Sequence, residues 1–313
     1  MKQSIETVYR HKFRLVLGSI VFFVILLFGV VSKSREEEKY KWPMVHLHVS
    51  STLSYNTSKN SLIQPCEANI PSFFSIASTT STDKTKHKPH HYEIAYQSFL
   101  APLRCNQMSF LEIGLGCGMQ YGAGHSVPLW SKYLPLATIS LFEWDYPCVV
   151  SFVDEDEGIF SSLSPADSNR LHFFTGDQSD PEALQKTAQA TGPYDVIVDD
   201  GGHTWLQQIV SLSILLYHVK PGGIYVLEDL ATSFQEGYAS GLRVSAVQFI
   251  SQMQECLHAA PLGRENNLHQ KISHKNIASA CDLARLVESI SCWEEICVFK
   301  RWNKNVDLEV NNT

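Results

Sequence analysis

Five short apolar runs, each followed by small or acidic residues, recur from residue 110 onward: Phe110-Leu111-Glu112-Ile113, Ile139-Ser140-Leu141-Phe142, Leu171-His172-Phe173-Phe174, Val196-Ile197-Val198 and Ile224-Tyr225-Val226-Leu227. Runs of this length, separated by room for one helix, read as strands of βαβ units. Residues 126–134, 181–190 and 204–219 are helix-like, and Lys220-Pro221-Gly222-Gly223 is expected to end the last of them. A further helix is expected over about 238–258. Residues 285–291 and 296–302, around Cys292-Trp293-Glu294-Glu295, read as a hairpin. The expected fold class is α/β: a doubly wound, mostly parallel sheet ending in an antiparallel hairpin. A ligand should then sit at the carboxyl ends of the strands.

The chain before these runs has a different character. Residues 15–32 are 18 consecutive residues without a charge. A helix over them, at ~1.5 Å per residue, spans about 27 Å, enough for a thin bilayer. The run is longer than a signal-peptide core and no Ala-x-Ala site follows it, so an uncleaved transmembrane signal anchor is expected rather than a signal peptide. Lys and Arg tie at four on each flank, and the positive-inside rule decides nothing. The short N-terminal tail suggests a type II single-pass protein of the endomembrane system. Asn56 and Asn311 head glycosylation patterns usable only in a lumen. Residues 42–82, rich in Ser, Thr and Asn, read as stem. The expected organisation is tail 1–14, anchor 15–32, stem 33–82, one catalytic domain 83–303 and tail 304–313.

Composition excludes some partners. Acidic residues outnumber basic ones by 32 to 25, which argues against a nucleic-acid binder. The 44% hydrophobic content excludes a disordered chain. Eight cysteines without a CxxC spacing suggest no zinc site. Cys292 and Cys297 could pair in a lumen, whereas Cys117, inside a glycine-rich loop, is a poor disulfide candidate.

The chemistry-bearing residues fall at the ends of the runs. Glu112-Ile113-Gly114-Leu115-Gly116-Cys117-Gly118 lets the backbone pass close to a ligand. A dinucleotide fingerprint would need glycine where Met119 stands, which disfavours a nicotinamide-dependent oxidoreductase. Glu143 ends the second run and could accept from ribose hydroxyls. Asp177 and Gln178 follow the third, with Asp177 placed to meet an adenine amino group, while Ser179 or Asp180 could simply cap the next helix. Asp199-Asp200-Gly201-Gly202-His203 follows the fourth run and Glu228-Asp229 the fifth. Acids converging at one sheet edge repel unless a cation holds them, and all-oxygen ligands favour Mg²⁺. His203 could act as general base on a hydroxyl or amine. Helix capping by the acids and a structural histidine are the bland alternatives.

The loop E-x-G-x-G-x-G resembles that of class I S-adenosylmethionine (SAM) methyltransferases, Rossmann-like enzymes. The order of Leu111-Glu112-Ile113-Gly114, Gly176–Asp180, Asp199–His203, Pro221-Gly222-Gly223 and Tyr225–Leu230 resembles their macrocin and mycinamicin O-methyltransferase type, as do His91-Tyr92 and Tyr96. The resemblance implies SAM held by Glu112, Gly114, Gly116, Gly118, Glu143, Asp177 and Gln178. It implies Mg²⁺ on Asp200 (or Asp199), Glu228 and Asp229, and His203 as base, with Asp199 as a second catalytic residue. Gly202 stands where the family often has serine, and Ala231 where histidine is common. With an anchor, the chain is similar to fungal enzymes of secondary metabolism, including those that N-methylate cyclic peptides. A small-molecule or peptide natural product is the implied acceptor, with O- and N-methylation both open. A membrane-tethered, inactive binding protein is the rival from another class. A lumenal enzyme would need imported SAM, which weighs against that topology.

Overall fold

The structure, a computed structural model, describes residues 45–48, 70–85, 90–119, 122–154, 158–259 and 277–303. Residues 1–44, with the expected anchor at 15–32, and the glycosylation patterns at Asn56 and Asn311 lie outside them. Among the described residues no helix is long and apolar enough to cross a membrane.

Among the described residues eight strands form one sheet: β1 (His46–His48), β2 (Met108–Ile113), β3 (Ala137–Glu143), β4 (Leu171–Thr175), β5 (Tyr194–Asp199), β6 (Val219–Leu227), β7 (Val287–Trp293) and β8 (Ile296–Arg301), in the order β1-β4-β3-β2-β5-β6-β8-β7. The pairs from β4 through β6 are parallel, and β1, β8 and β7 join antiparallel. The strand order reverses between β2 and β5, which is where a doubly wound sheet opens a crevice. The main helices are α1 (Phe73–Ala77), α2 (Glu93–Leu100), α3 (Val127–Tyr133), α4 (Tyr146–Asp154), α5 (Pro165–Ser168), α6 (Pro181–Thr191), α7 (Trp205–Leu215), α8 (Ala246–Ala259) and α9 (Ala280–Ala284).

The central strands bury both faces, as a covered parallel sheet must. Phe110, Leu141, Val196, Val198 and Val226 pack on one side around Trp130 of α3. Leu111, Ile113, Ile197, Tyr225 and Leu227 face the other, against Ile209, Leu212 and Leu215 of α7. Period-two alternation along each strand splits these two sets.

Three expectations change. The stretch read as stem contributes to the domain: Leu47 of β1 pairs with Phe173, and Phe73 of α1 is fully buried beside Tyr96. Short polar-flanked elements carry too little periodicity to stand out in sequence. Lys220-Pro221-Gly222-Gly223 lies inside β6 rather than ending a helix, because the register shift between the Tyr194–Val219 and Val196–Ile224 pairs absorbs the proline. The helix expected from about residue 238 begins at Ala246. Upstream of it, short 3₁₀ turns at Leu230–Phe234 and Glu236–Tyr238 take the chain past the site.

Candidate functional site

The parallel ladder continues past the strand ends. Gly114 N–H donates to the Phe142 carbonyl (2.8 Å), Asp200 N–H to Ile113 (3.0 Å) and Glu228 N–H to Asp199 (3.0 Å). These bonds bring the ends of β3, β2, β5 and β6 side by side, so the acids at those ends meet by topology rather than by sequence proximity. Gly114 has φ +98°, and a Cβ there would collide with the Asp200 carbonyl. Only glycine allows the two loops this approach.

His203 and Asp229, at φ +53° and +55°, both sit in the left-handed region that side chains rarely adopt. Their side chains face each other, His203 Nε2 to Asp229 Oδ2 at 3.4 Å. A capping box starts α7 directly after His203: the Thr204 hydroxyl accepts from Gln207 N–H, and the Gln207 side chain accepts from Thr204 N–H. A Cβ on Gly202 would meet the end of the Gln207 side chain, which would have to shift. The Thr232 hydroxyl donates to the His203 carbonyl (3.0 Å) and ties the segment after β6 to the histidine. Ligand atoms of Asp200, His203 and Asp229 lie within 4.8 Å of one another, as do those of His90, Asp229 and Glu295. Asp200, His203 and Asp229 keep 25%, 27% and 19% of their side-chain surface exposed, so a small molecule can reach them.

The other predicted residues divide. Glu228 does not join the Asp200–His203–Asp229 group; it is buried, accepting from Lys84 Nζ and from the Tyr96 hydroxyl. Burial pushes its carboxyl well above the usual range, while the facing Lys84 ammonium opposes that shift. Asp199 is turned away from the cluster, a correction to its assignment beside His203. Its carboxylate accepts from Ser211, Tyr225 (2.6 Å) and Gln178 (2.7 Å) in the interior. Consecutive strand residues point to opposite sides, so the neighbouring Asp200 takes the outward direction. Gln178 is corrected likewise: its buried side chain donates to Asp199 and Ser211 and accepts from Gly202 N–H (2.8 Å). Asp177 is exposed and turns back to accept from Ser179 N–H and its hydroxyl, both 2.7 Å.

Glu143 accepts from the backbone N–H groups of Leu115 (2.9 Å), Trp144 (2.8 Å) and Asp145 (3.2 Å), pinning the glycine loop to the end of β3. Burial raises its carboxyl despite those donors. Gly116 and Gly118 turn this loop at φ +79° and +86°, with open space where a Cβ on Gly118 would stand. Cys117 is disulfide-bonded to Cys148 in α4, overturning the expectation that it stays unpaired. The two cysteines are 31 residues apart, yet parallel pairing of β2 with β3 brings the following loop and helix together. Cys148→Ser is expected to lower stability by about 2–4 kcal/mol through the lost loop closure and to weaken cofactor binding; thermal melting and calorimetry would read both. Cys292 pairs with Cys297 and Cys256 with Cys281.

Glu112 is fully buried and accepts from the Ser126 hydroxyl (2.6 Å) and Trp130 Nε1 (2.8 Å), anchoring α3. Burial pushes its carboxyl up to about 7, with Lys84 opposing the shift. A raised acid stabilises the fold while protonated, and that stability is lost as pH rises from about 4.5 through 7. Glu112→Gln is therefore expected to lose less stability than the parent between those pH values in parallel melts; identical slopes would refute it.

Sequence reasoning missed Lys84. It lies in Ser81-Thr82-Asp83-Lys84-Thr85, a polar stretch without periodicity, and no signal there points to burial. Its ammonium, 1% exposed, bonds Asp200 and Glu228 and stands 3.9 Å from Glu112. Burial alone would depress it, but Asp200 and then Glu228 hold it well above the usual lysine value. It therefore stays charged. Tyr92, noted for the resemblance alone, accepts from Asp229 N–H (3.2 Å) and donates to Asp229 Oδ1 (3.3 Å).

A crystal structure of the MycE methyltransferase from the mycinamycin pathway, in complex with Mg and SAH, superposes over 75% of this chain and 55% of its own, with a TM-score of 0.58 and 22% identity. The chain has the methyltransferase fold. Among curated proteins, it is 32% identical over 181 residues to a rhamnosyl tetracenomycin-C 2′-O-methyltransferase of Streptomyces olivaceus. It is 28% identical over 192 residues to the mycinamicin VI 2″-O-methyltransferase of Micromonospora griseorubida, and 32% identical over 151 residues to the demethylmacrocin O-methyltransferase of Streptomyces fradiae. These matches cover 55%, 61% and 48% of this chain but only 42%, 41% and 34% of the relatives. The chain thus spans less than half the length of the relatives it matches. No protein-family model matches it.

Proposed function

We propose that the protein is a SAM-dependent O-methyltransferase acting on a hydroxyl of a small natural product. The observation that carries this reading is the facing pair His203–Asp229 at the carboxyl edge of the sheet, one loop away from the glycine turn at Gly114. Transfer to oxygen rather than nitrogen is supported by the relatives, each of which is an O-methyltransferase by name.

In this reading the loop Gly114–Gly118, held by Glu143 and by the Cys117–Cys148 bridge, cradles the cofactor. SAM supplies an electrophilic methyl carbon and a neutral thioether leaving group. His203 takes the acceptor's proton, and Asp229 at 3.4 Å stabilises the imidazolium so formed. Asp200 and Asp229, with His203 beside them, fit a hard divalent ion such as Mg²⁺, while Glu228 lies outside this group, buried against Lys84 and Tyr96. The ion would supply positive charge beside the acceptor hydroxyls. Positioning and deprotonation carry the step.

Calorimetry with SAM, followed by mass analysis of glycosylated acceptors for methyl gain, tests the reading. SAM binding and O-methylated product are expected. No detectable SAM binding, with or without Mg²⁺, would sink it and leave a tethered binding protein.

A type II membrane protein with a lumenal body is part of the proposal. The supporting observation is that all seven described cysteines are disulfide-bonded, the state of an oxidising compartment. Those cysteines are expected to resist a maleimide in freshly lysed, unreduced material and to label after reduction. Labelling before reduction would favour a cytosolic body.

A further inference from the structure

Lys84 brings a cation to the same carboxylates that a divalent ion would use. Its ammonium bonds Asp200, which belongs to the Asp200–His203–Asp229 group, and Glu228, which the Tyr96 hydroxyl also engages. The segment carrying it leaves the hydroxyls of Thr82 and Thr85 buried without hydrogen-bond partners. Orphaned buried hydroxyls oppose the docked position. The ion contacts of Lys84 offset that cost and favour the docked position of residues 82–85. A dication at Asp200 and Asp229 would share one carboxylate with an ammonium in hydrogen-bond contact, and two positive charges on one group repel.

We propose that Lys84 is the resident counter-ion of this carboxylate cluster, and that a divalent cation entering at Asp200 and Asp229 displaces it from Asp200 and loosens residues 82–85. Lys84 is thus a positioning residue: in its docked state it holds Asp200 and Glu228, and it sets how much cation the site requires. The inference rests on the cation of the proposed function but not on methyl transfer itself.

The test uses full-length protein and Mg²⁺ alone, read by calorimetry. Lys84→Gln, which removes the charge and leaves a shorter polar side chain, is expected to bind Mg²⁺ at least ~10-fold more tightly than the parent. Lys84→Arg, which keeps the charge, is expected to bind it as weakly as the parent. A residue with a purely structural role would give two variants alike. Equal or weaker Mg²⁺ binding by Lys84→Gln overturns the proposal. Should that variant fail to fold, amine-reactive labelling of the parent decides. Lys84 is expected to resist acylation without Mg²⁺ and to react when Mg²⁺ is saturating, as read by peptide mass analysis. Labelling that saturating Mg²⁺ leaves unchanged overturns it. Neither measurement contains SAM or an acceptor, so failure of methyl transfer would sink the proposed function and leave this inference standing.

Discussion

Replacing His203 by alanine is expected to cut turnover by ~10²-fold or more while SAM affinity stays nearly intact, as for loss of a general base. The expectation follows from placement. His203 lies at the carboxyl edge of the sheet, is partly exposed, and faces Asp229 across 3.4 Å. Its backbone is held in the left-handed region by the Thr232 hydrogen bond on one side and the Thr204–Gln207 capping box on the other. Alanine at 203 removes the imidazole without disturbing the α7 cap, so the parent's stability should survive. Single-turnover kinetics separate the step from binding, and unchanged kcat would remove His203 from the mechanism.

The second large effect is expected at Gly114. A Cβ there meets the Asp200 backbone carbonyl, which cannot rotate away as a flexible side chain would, and φ is +98°. Strain of about 1–3 kcal/mol from the backbone alone adds to that collision. Gly114→Ala is expected to lower stability by several kcal/mol, the range of a severe core substitution, and to abolish detectable SAM binding. Gly118→Ala, with open space at its Cβ, should cost only its positive-φ strain and leave the fold melting closer to the parent. A Gly114→Ala protein with parental melting and binding would show that the two loops do not need this approach.

Much of the sheet was legible because parallel strands buried on both faces are short apolar runs, and helices between them leave room of the right length. Glu112, Glu143, Asp200, Glu228 and Asp229 were legible as acids at strand ends. Which of them reach one another was not. Asp199 and Asp200 are adjacent and chemically alike, yet one is buried against Ser211 and Tyr225 and the other lies in the exposed cluster. Gln178 reads as a cofactor contact beside Asp177, but it points inward to brace Gly202.

By itself, the sequence determined the strand succession, the glycine turn at Gly114–Gly118 and the set of acids available at the sheet's carboxyl edge, since these depend on local periodicity and residue type. Only the tertiary structure decided that Lys84 joins Asp200 and Glu228, that Cys117 pairs with Cys148, and that His203 faces Asp229. The reason is physical. Each contact joins residues on separate segments, and parallel strand pairing and side-chain direction set their distance, which no local pattern encodes.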